Sequence, residues 1–435
     1  MIEAFQNIFK IPELKKKVLF SLAMLAVYRV GCHIPTPGID AVALSSFFKA
    51  AQGTLLGMFD MFSGGALEKL TVFALGIMPY ISSSIIFQLL TVVLPAIEKL
   101  SKEGDAGRKK IIQYTRYGTI VLAVVQSFGI AIGLESMRGP AGELVVPNPG
   151  WGFRLMTVIT LTAGTAFIMW LGEQMSEKGI GNGISLIIFA GIVARIPTAL
   201  LNSVRLIKTG ELSLFALILV AAVMFAVIAA VVFMERGQRR IPIHYAKRVV
   251  GLKTMGAQSS HLPLKVNMAG VIPPIFASSI IMFPATVGNF INIPWVQSAS
   301  KQLVPGNWLY EIFYVAFIVF FCYFYTAVTF NPVDVADNVK KQGGYVPGIR
   351  PGKETSDFLD AVLTKLTFAG AIYISAVCVL PSILIGKFNL PFYFGGTALL
   401  IAVGVGMDTL AQIEAHLITR SYEGFMKGVR IQGRR

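Results

Sequence analysis

The chain has 435 residues, of which 54% are hydrophobic and only 14% charged, and its mean hydropathy is +0.67. An ordinary soluble domain carries about 25% charged residues and no apolar runs of about 20, so this composition excludes one and describes a polytopic membrane protein. The net charge of +15 fits nucleic acid, anionic lipid or membrane topology as a partner, and its distribution has to decide among them.

In chain order, ten apolar segments approach the ~20 residues that cross ~30 Å of hydrocarbon. They are residues 18–34, 70–94, 111–134, 155–171, 180–201, 212–234, 266–290, 308–330, 366–385 and 391–413. Lys15, Lys16 and Lys17 precede the first. No small-residue cleavage site follows it, and the next residues are Pro35-Thr36-Pro37-Gly38, so a retained span is expected rather than a signal peptide. Lys and Arg concentrate before the first span, between the second and third, sixth and seventh, and eighth and ninth, and in the tail. This positive-inside asymmetry puts both termini in the cytosol.

A self-similarity links the two halves. Gly76-Ile-Met-Pro-Tyr-Ile-Ser-Ser-Ser-Ile-Ile-Phe87 and Gly270-Val-Ile-Pro-Pro-Ile-Phe-Ala-Ser-Ser-Ile-Ile281 place Pro, Ile, Ser and Ile at the same offsets from the first Gly. With five spans per half, a repeat unit must insert with inverted topology, so a pathway is expected between the halves. The boundary falls near residue 200: 1–200 holds spans one to five and 201–435 spans six to ten. Pro79 and Pro273 are expected to kink the two matching walls, either to ease their movement or as bends fixed by packing.

Residues 53–69 have helical periodicity, but Asp60, Glu68, Lys69 and Ser63-Gly64-Gly65 make them too polar and interrupted to span. A half-helix folded back into the protein and an external loop on its surface both fit. Two cytosolic loops, 235–265 and 331–365, are longer than topology requires. The first shows strand-like alternation around Arg240-Ile-Pro-Ile-His-Tyr245. Both are basic, as positive-inside charge or as a docking surface for something large and acidic.

No catalytic constellation stands out. His33, His244, His261 and His416 are scattered, and Cys32, Cys322 and Cys378 have no CxxC partner, which argues against a zinc site or a disulfide framework. Gly179-Ile-Gly181-Asn-Gly183 opens an apolar span instead of lying between a strand and a helix, so it is not read as a phosphate loop. The deep polar residues are mostly neutral (Gln88, Gln126 and Asn267), with Arg29 and Glu173 toward span ends and Asp408 the main exception, whereas coupled transporters place titratable groups at mid-membrane. No catalytic residue, cofactor or metal is expected.

Several stretches resemble the bacterial SecY family, which supplies pore subunits of protein translocons. They are Gly76–Ser82, Glu103-Gly-Asp-Ala-Gly-Arg108, Gln113-Tyr-Thr-Arg-Tyr-Gly118, Gly172-Glu-Gln174 with Gly179–Ile184, Glu235-Arg-Gly-Gln-Arg-Arg240, His261-Leu-Pro-Leu-Lys-Val-Asn267, Asn331-Pro-Val-Asp334, Gly348-Ile-Arg-Pro-Gly352 and Pro391-Phe-Tyr-Phe-Gly-Gly396. They run through the whole chain in family order. One departure is Val249-Val-Gly-Leu252, where relatives often carry more polar residues, which leaves open which basic side chains dominate docking.

The resemblance implies an all-α polytopic membrane protein whose ten transmembrane helices form two inverted, pseudo-symmetric five-helix halves. Together they make a clamshell with a central pore. Carried over residue by residue, the pore ring falls on Ile77, Ile81, Ile184, Ile188, Ile275 and Ile401. The plug falls on residues 55–69, including Leu55, Met58, Phe59, Met61, Phe62, Ser63, Gly64, Gly65 and Leu67. A lateral gate is expected along Ser82, Gln88, Gln126, Asn267 and Phe283. Arg239, Arg240, Lys247, Arg248 and Arg350 are expected to dock the ribosome, through its RNA and tunnel-exit proteins, or the SecA ATPase. SecE, SecG, signal sequences, nascent chains and membrane lipids complete the implied partners, in the bacterial cytoplasmic membrane. The expected function is a passive protein-conducting channel; the alternative is an inverted-repeat secondary transporter for a small solute.

Overall fold

The computed structural model describes residues 11–40, 43–45, 64–137, 144–209, 214–245, 248–250, 253–255, 259–290, 302, 307–388 and 396–428. Of the expected site residues, Leu55, Met58, Phe59, Met61, Phe62, Ser63 and Lys247 lie outside these, as do the side chains of Arg248 and Phe283.

Helices occur at all ten expected positions. In order they are α1 (Pro12–Gly31), α2 (Met78–Val93) continued by α3 (Pro95–Lys102), α4 (Asp105–Ser136), α5 (Trp151–Lys178), and α6 (Gly183–Val193) with α7 (Ile196–Lys208). There follow α8 (Leu214–Arg236), α9 (Ile272–Phe290), α10 (Trp308–Thr329) with α11 (Pro332–Lys341), α12 (Lys353–Phe388) and α13 (Gly396–Gly428). Among the described residues, α4, α5, α10, α12 and α13 are each long and apolar enough to cross a bilayer. Their exposed faces carry large apolar side chains such as Val121, Ile159, Phe320 and Phe368, as lipid contact demands.

The second span departs from expectation. Residues 64–77 form turns, and the helix begins only at Met78. Gly64, Gly65, Leu70 and Gly76 all have positive φ (+69°, +88°, +36° and +56°), which a right-handed helix cannot propagate through. The turns are stitched to the chain leaving α1, where Thr36 N–H donates to Leu70 O and Val72 N–H to Ile34 O, both at 2.9 Å. At its other end α2 stops at Leu94, whose extended backbone is what a following proline enforces, and α3 departs at 98°.

Two further boundaries differ. The fifth span is interrupted at Ala194–Arg195, with Pro197 in the first turn of α7. The ninth starts at Lys353, so the end of the second long loop is already helical. The expected proline kinks are absent. Pro79 lies in the first turn of α2 and Pro273 in that of α9, where a missing N–H breaks no helical bond.

The two long loops build one small body. Strands β1 (Gln238–Tyr245) and β4 (Ser259–Lys265) pair antiparallel with Ile241 opposite Leu262, while β2 (Arg248–Val250) and β3 (Lys253–Met255) form a separate hairpin. Strand β5 (Gly344–Tyr345), from the other loop, adds to the free edge of β1 through His244 and Tyr345. The alternation read in the sequence turns Ile241 and Ile243 inward, and Ile241 joins Leu264, Ala336, Val346, Leu359, Val362 and Leu363 in one core. Loops of this length acquire a fixed shape by burying such a core.

Candidate functional site: a buried aliphatic cluster shared by four helices

The six isoleucines of the expected ring lie in or against one large apolar cluster. Ile77, Ile81, Ile188 and Ile401 belong to one buried cluster, with Ile184 and Ile275 packed against it. Exposures of 3%, 8%, 4% and 0% for the first four place them in the interior of the helix assembly rather than on its outer surface.

Local structure explains each position. Ile77 is the N-cap residue of α2, and Ile81 N–H donates to its carbonyl at 3.1 Å, so the pair shares one helix face. Ile184 and Ile188 have the same four-residue spacing on α6, whose start is fixed by Asn182 Oδ1 accepting from Ile184 N–H (3.1 Å). On α9, the Ile275 carbonyl accepts from the hydroxyls of Ser278 (2.9 Å) and Ser279 (2.7 Å), which satisfies those buried polar groups inside the helix. Ile401 lies near the start of α13, one turn before Gly404. A Cβ on Gly404 would lie 2.5 Å from Val271 Cγ1, and Val271 is the repeat counterpart of Ile77. Gly404 thus lets α13 approach the entry to α9.

What such a ring does follows from its chemistry. Branched aliphatic side chains offer no hydrogen bond, so they select no polar group on a passing solute, and an empty constriction of this kind dewets and resists ions.

The expected plug and gate residues are placed as follows. Gly64 and Gly65 form the turn beside α1 and the end of α6: Arg29 Nη1 donates to Gly64 O at 3.2 Å, and a Cβ on Gly64 would lie 2.9 Å from Gly191 Cα. Leu67 is buried in a second cluster with Leu70, Leu75, Leu134 and Phe153. Glu68 Oε2 lies 4.0 Å from Arg195 Nη2. Helix α9 packs against both α2 and α4, forming the seam along which the gate is expected. Ser82, Gln88 and Gln126 are half-buried there, and Gln88 Nε2 donates to Ser84 Oγ at 3.3 Å. Asn267 is buried on the turn before α9, its amide donating to Glu235 Oε1 at 2.6 Å and bridging the N–H and carbonyl of Gly270. Arg239 and Arg240 are exposed on β1, and Arg350 is exposed just before α12.

Some structural residues escaped the sequence reading. Ser83 Oγ donates to Thr115 O on α4 at 2.8 Å, beside Gly118. Two ion pairs fasten the ends of α4 and α5: Arg116 Nε to Glu173 Oε1 at 2.7 Å, and Arg154 Nη2 to Glu135 Oε2 at 2.6 Å. The charges were visible in the sequence, but pairs separated by 57 and 19 positions have no local signature.

The fold defines a polytopic, mainly helical membrane protein of ten transmembrane helices arranged as a clamshell. The SecY family model matches residues 71–410. The protein translocase subunit SecY of Escherichia coli K12 is 53% identical over 425 residues, covering 97% of this chain and 96% of that protein. The Aquifex aeolicus counterpart is 47% identical and covered in full by 98% of this chain. Among solved structures, one described as a protein conducting channel aligns over 95% of this chain and 97% of its own, with a TM-score of 0.67 and 17% identity. Canine Sec61 in a ribosome–channel complex aligns over the same shares, with a TM-score of 0.63 and 17% identity. The chain belongs to the SecY family.

Proposed function

We propose that this protein is the protein-conducting subunit of a Sec-type translocase. Unfolded polypeptides pass through the isoleucine ring, and apolar segments leave sideways between α2/α4 and α9/α10. The observation that carries this reading is that six isoleucines, from two related segments and two other helices, lie in or against one buried apolar cluster in a chain 53% identical to a translocase subunit. The small-solute transporter alternative is discarded, because the relatives are translocase subunits and the structural neighbours channels for proteins.

On this reading the plug occupies residues 55–69, and the seam residues Ser82, Gln88, Gln126, Asn267 and Phe283 line the gate. Opening is set by how much better a signal sequence binds the open state than the closed one. The ring hydrolyses nothing, so the driving force comes from the ribosome or SecA. Two structural neighbours are channels in ribosome complexes, canine Sec61 and yeast Ssh1, which supports the cytosolic body as the ribosome dock. Arg239, Arg240, Lys247, Arg248 and Arg350 are its proposed contacts. SecE and SecG as partners, the bacterial cytoplasmic membrane as location, cytosolic termini and the 1–200/201–435 division follow from the same reading.

The test is reconstitution of the complete translocase in vesicles with SecA, ATP and a secretory precursor. Protease-protected precursor is the expected result. Ion-coupled uptake of a small solute without precursor protection would return the transporter reading.

A further inference from the structure

The glycine-rich turn 179–183 has no part in the ring itself, yet three partners converge on it. It joins α5 to α6. Ile180 N–H donates to Ser21 Oγ on α1 at 3.1 Å, and Gly183 N–H to Ser176 Oγ on α5 at 2.9 Å. Gly181 N–H donates to Gln412 Oε1 on α13 at 3.0 Å, a bond spanning 231 positions of sequence. The Ile180 side chain is 4% exposed and clusters with Leu14 of α1 and Ile413 of α13.

The fit at Gly181 is close. Its φ is +80°, and an added Cβ would lie 3.2 Å from Thr409 Oγ1 and 3.3 Å from Leu186 Cδ1. Glycine here both permits the left-handed turn and lets α13 sit against it. Ile184 follows Gly181 by three residues, and Ile401 rides on the same helix as Gln412. Helices α6 and α13 also pack along one another. A bond that fixes α13 against the start of α6 therefore fixes Ile401 relative to Ile184 and Ile188.

We propose that Gly181 and Gln412 form a clasp that positions α13 on α6 and so holds the isoleucine ring closed; they are positioning residues for gating. This rests on the ring being the pore constriction, and the experiment separates the two claims. The resting ion conductance of the intact translocase is measured in planar bilayers for the parent, Gln412→Leu, Gln412→Glu, Gly181→Ala and, as control, Ile188→Asn. Losing one interhelical hydrogen bond should raise the open population, and with it the resting conductance, about threefold to tenfold in Gln412→Leu. Gly181→Ala should do the same through strain. Gln412→Glu keeps a carboxylate acceptor for the Gly181 N–H and should stay at the parental level, a rescue that loss of general packing does not produce.

Parental conductance in both Gln412→Leu and Gly181→Ala, with Ile188→Asn leaking, overturns the clasp and leaves the ring intact. Equal leak in Gln412→Leu and Gln412→Glu also overturns it. No leak even in Ile188→Asn overturns the ring reading and the clasp with it.

Discussion

Gly76 and Gly270 are structural counterparts. Each has a left-handed backbone (φ +56° and +62°), each stands two residues before a helix, and each of those helices has proline in its first turn. The repeat is thus a shared way of starting a helix beside the ring: glycine reverses the chain, proline supports the first turn, and an isoleucine two residues after the proline faces inward. Gly270 offers a clean test, since a Cβ there would meet nothing within 4 Å. Gly270→Ala should cost about 1–2 kcal/mol from backbone strain alone, read as a lower thermal unfolding midpoint in detergent.

Polar substitution in the ring should loosen it. Ile188 is 4% exposed, so Ile188→Asn places an amide among aliphatic side chains. Burying it without a partner costs about 1–3 kcal/mol and favours any state in which the ring is wet. Precursors with defective signal sequences should be exported more efficiently in cells carrying this variant, measured as the processed fraction. Unchanged stringency would count against the ring.

On one side of the seam, Ser83 joins α2 to α4 through the Thr115 carbonyl. Ser83→Ala should remove about 0.6–1.7 kcal/mol of interhelical bonding and increase protease or alkylation access along α2. Gly118→Ala should act more strongly, because its Cβ would lie 2.5 Å from Ser83 Oγ.

The two ion pairs of α4 and α5 should matter more than the exposed pair on α3. Arg154 and Glu135 side chains are 29% and 11% exposed, whereas Lys102 and Glu98 are 75% and 48% exposed. Glu135 also accepts from Gly150 N–H at 3.0 Å, so its carboxylate holds the entry to α5. Glu135→Gln should lower the thermal midpoint clearly, and Lys102→Ala should leave it within error, because exposed pairs are screened.

Docking should be electrostatic. If Arg239 and Arg240 touch ribosomal RNA phosphate, alanine at each should weaken ribosome binding at every salt concentration tested. The slope of log affinity against log salt should fall by about one per contact removed. An unchanged slope would assign those charges to topology alone.

Much of this architecture is legible from residue patterns. Ten apolar runs give ten helices because a spanning segment must satisfy its own backbone, and alternation at Arg240–Tyr245 gives β1 because two loop isoleucines bury a core. The proposed ring residues come from the family motifs, and the shared offset of Ile81 and Ile275 in the repeat agrees with them. Breaks were harder to see. Leu70 to Ile77 read as helix by hydropathy alone, since apolar composition does not report the positive φ of Leu70 and Gly76. The Gly181–Gln412, Ser83–Thr115 and Arg154–Glu135 pairings depend on which helices meet, and no local pattern encodes that.

The most direct test of the central claim is a photo-activatable residue at Ile81 during synthesis of a stalled secretory polypeptide. The chain in transit should crosslink to position 81, and also to a probe at Ile275, but not to one at the lipid-facing Ile86, which is 44% exposed. Crosslinks at position 86 with none at 81 or 275 would contradict a passage through the ring.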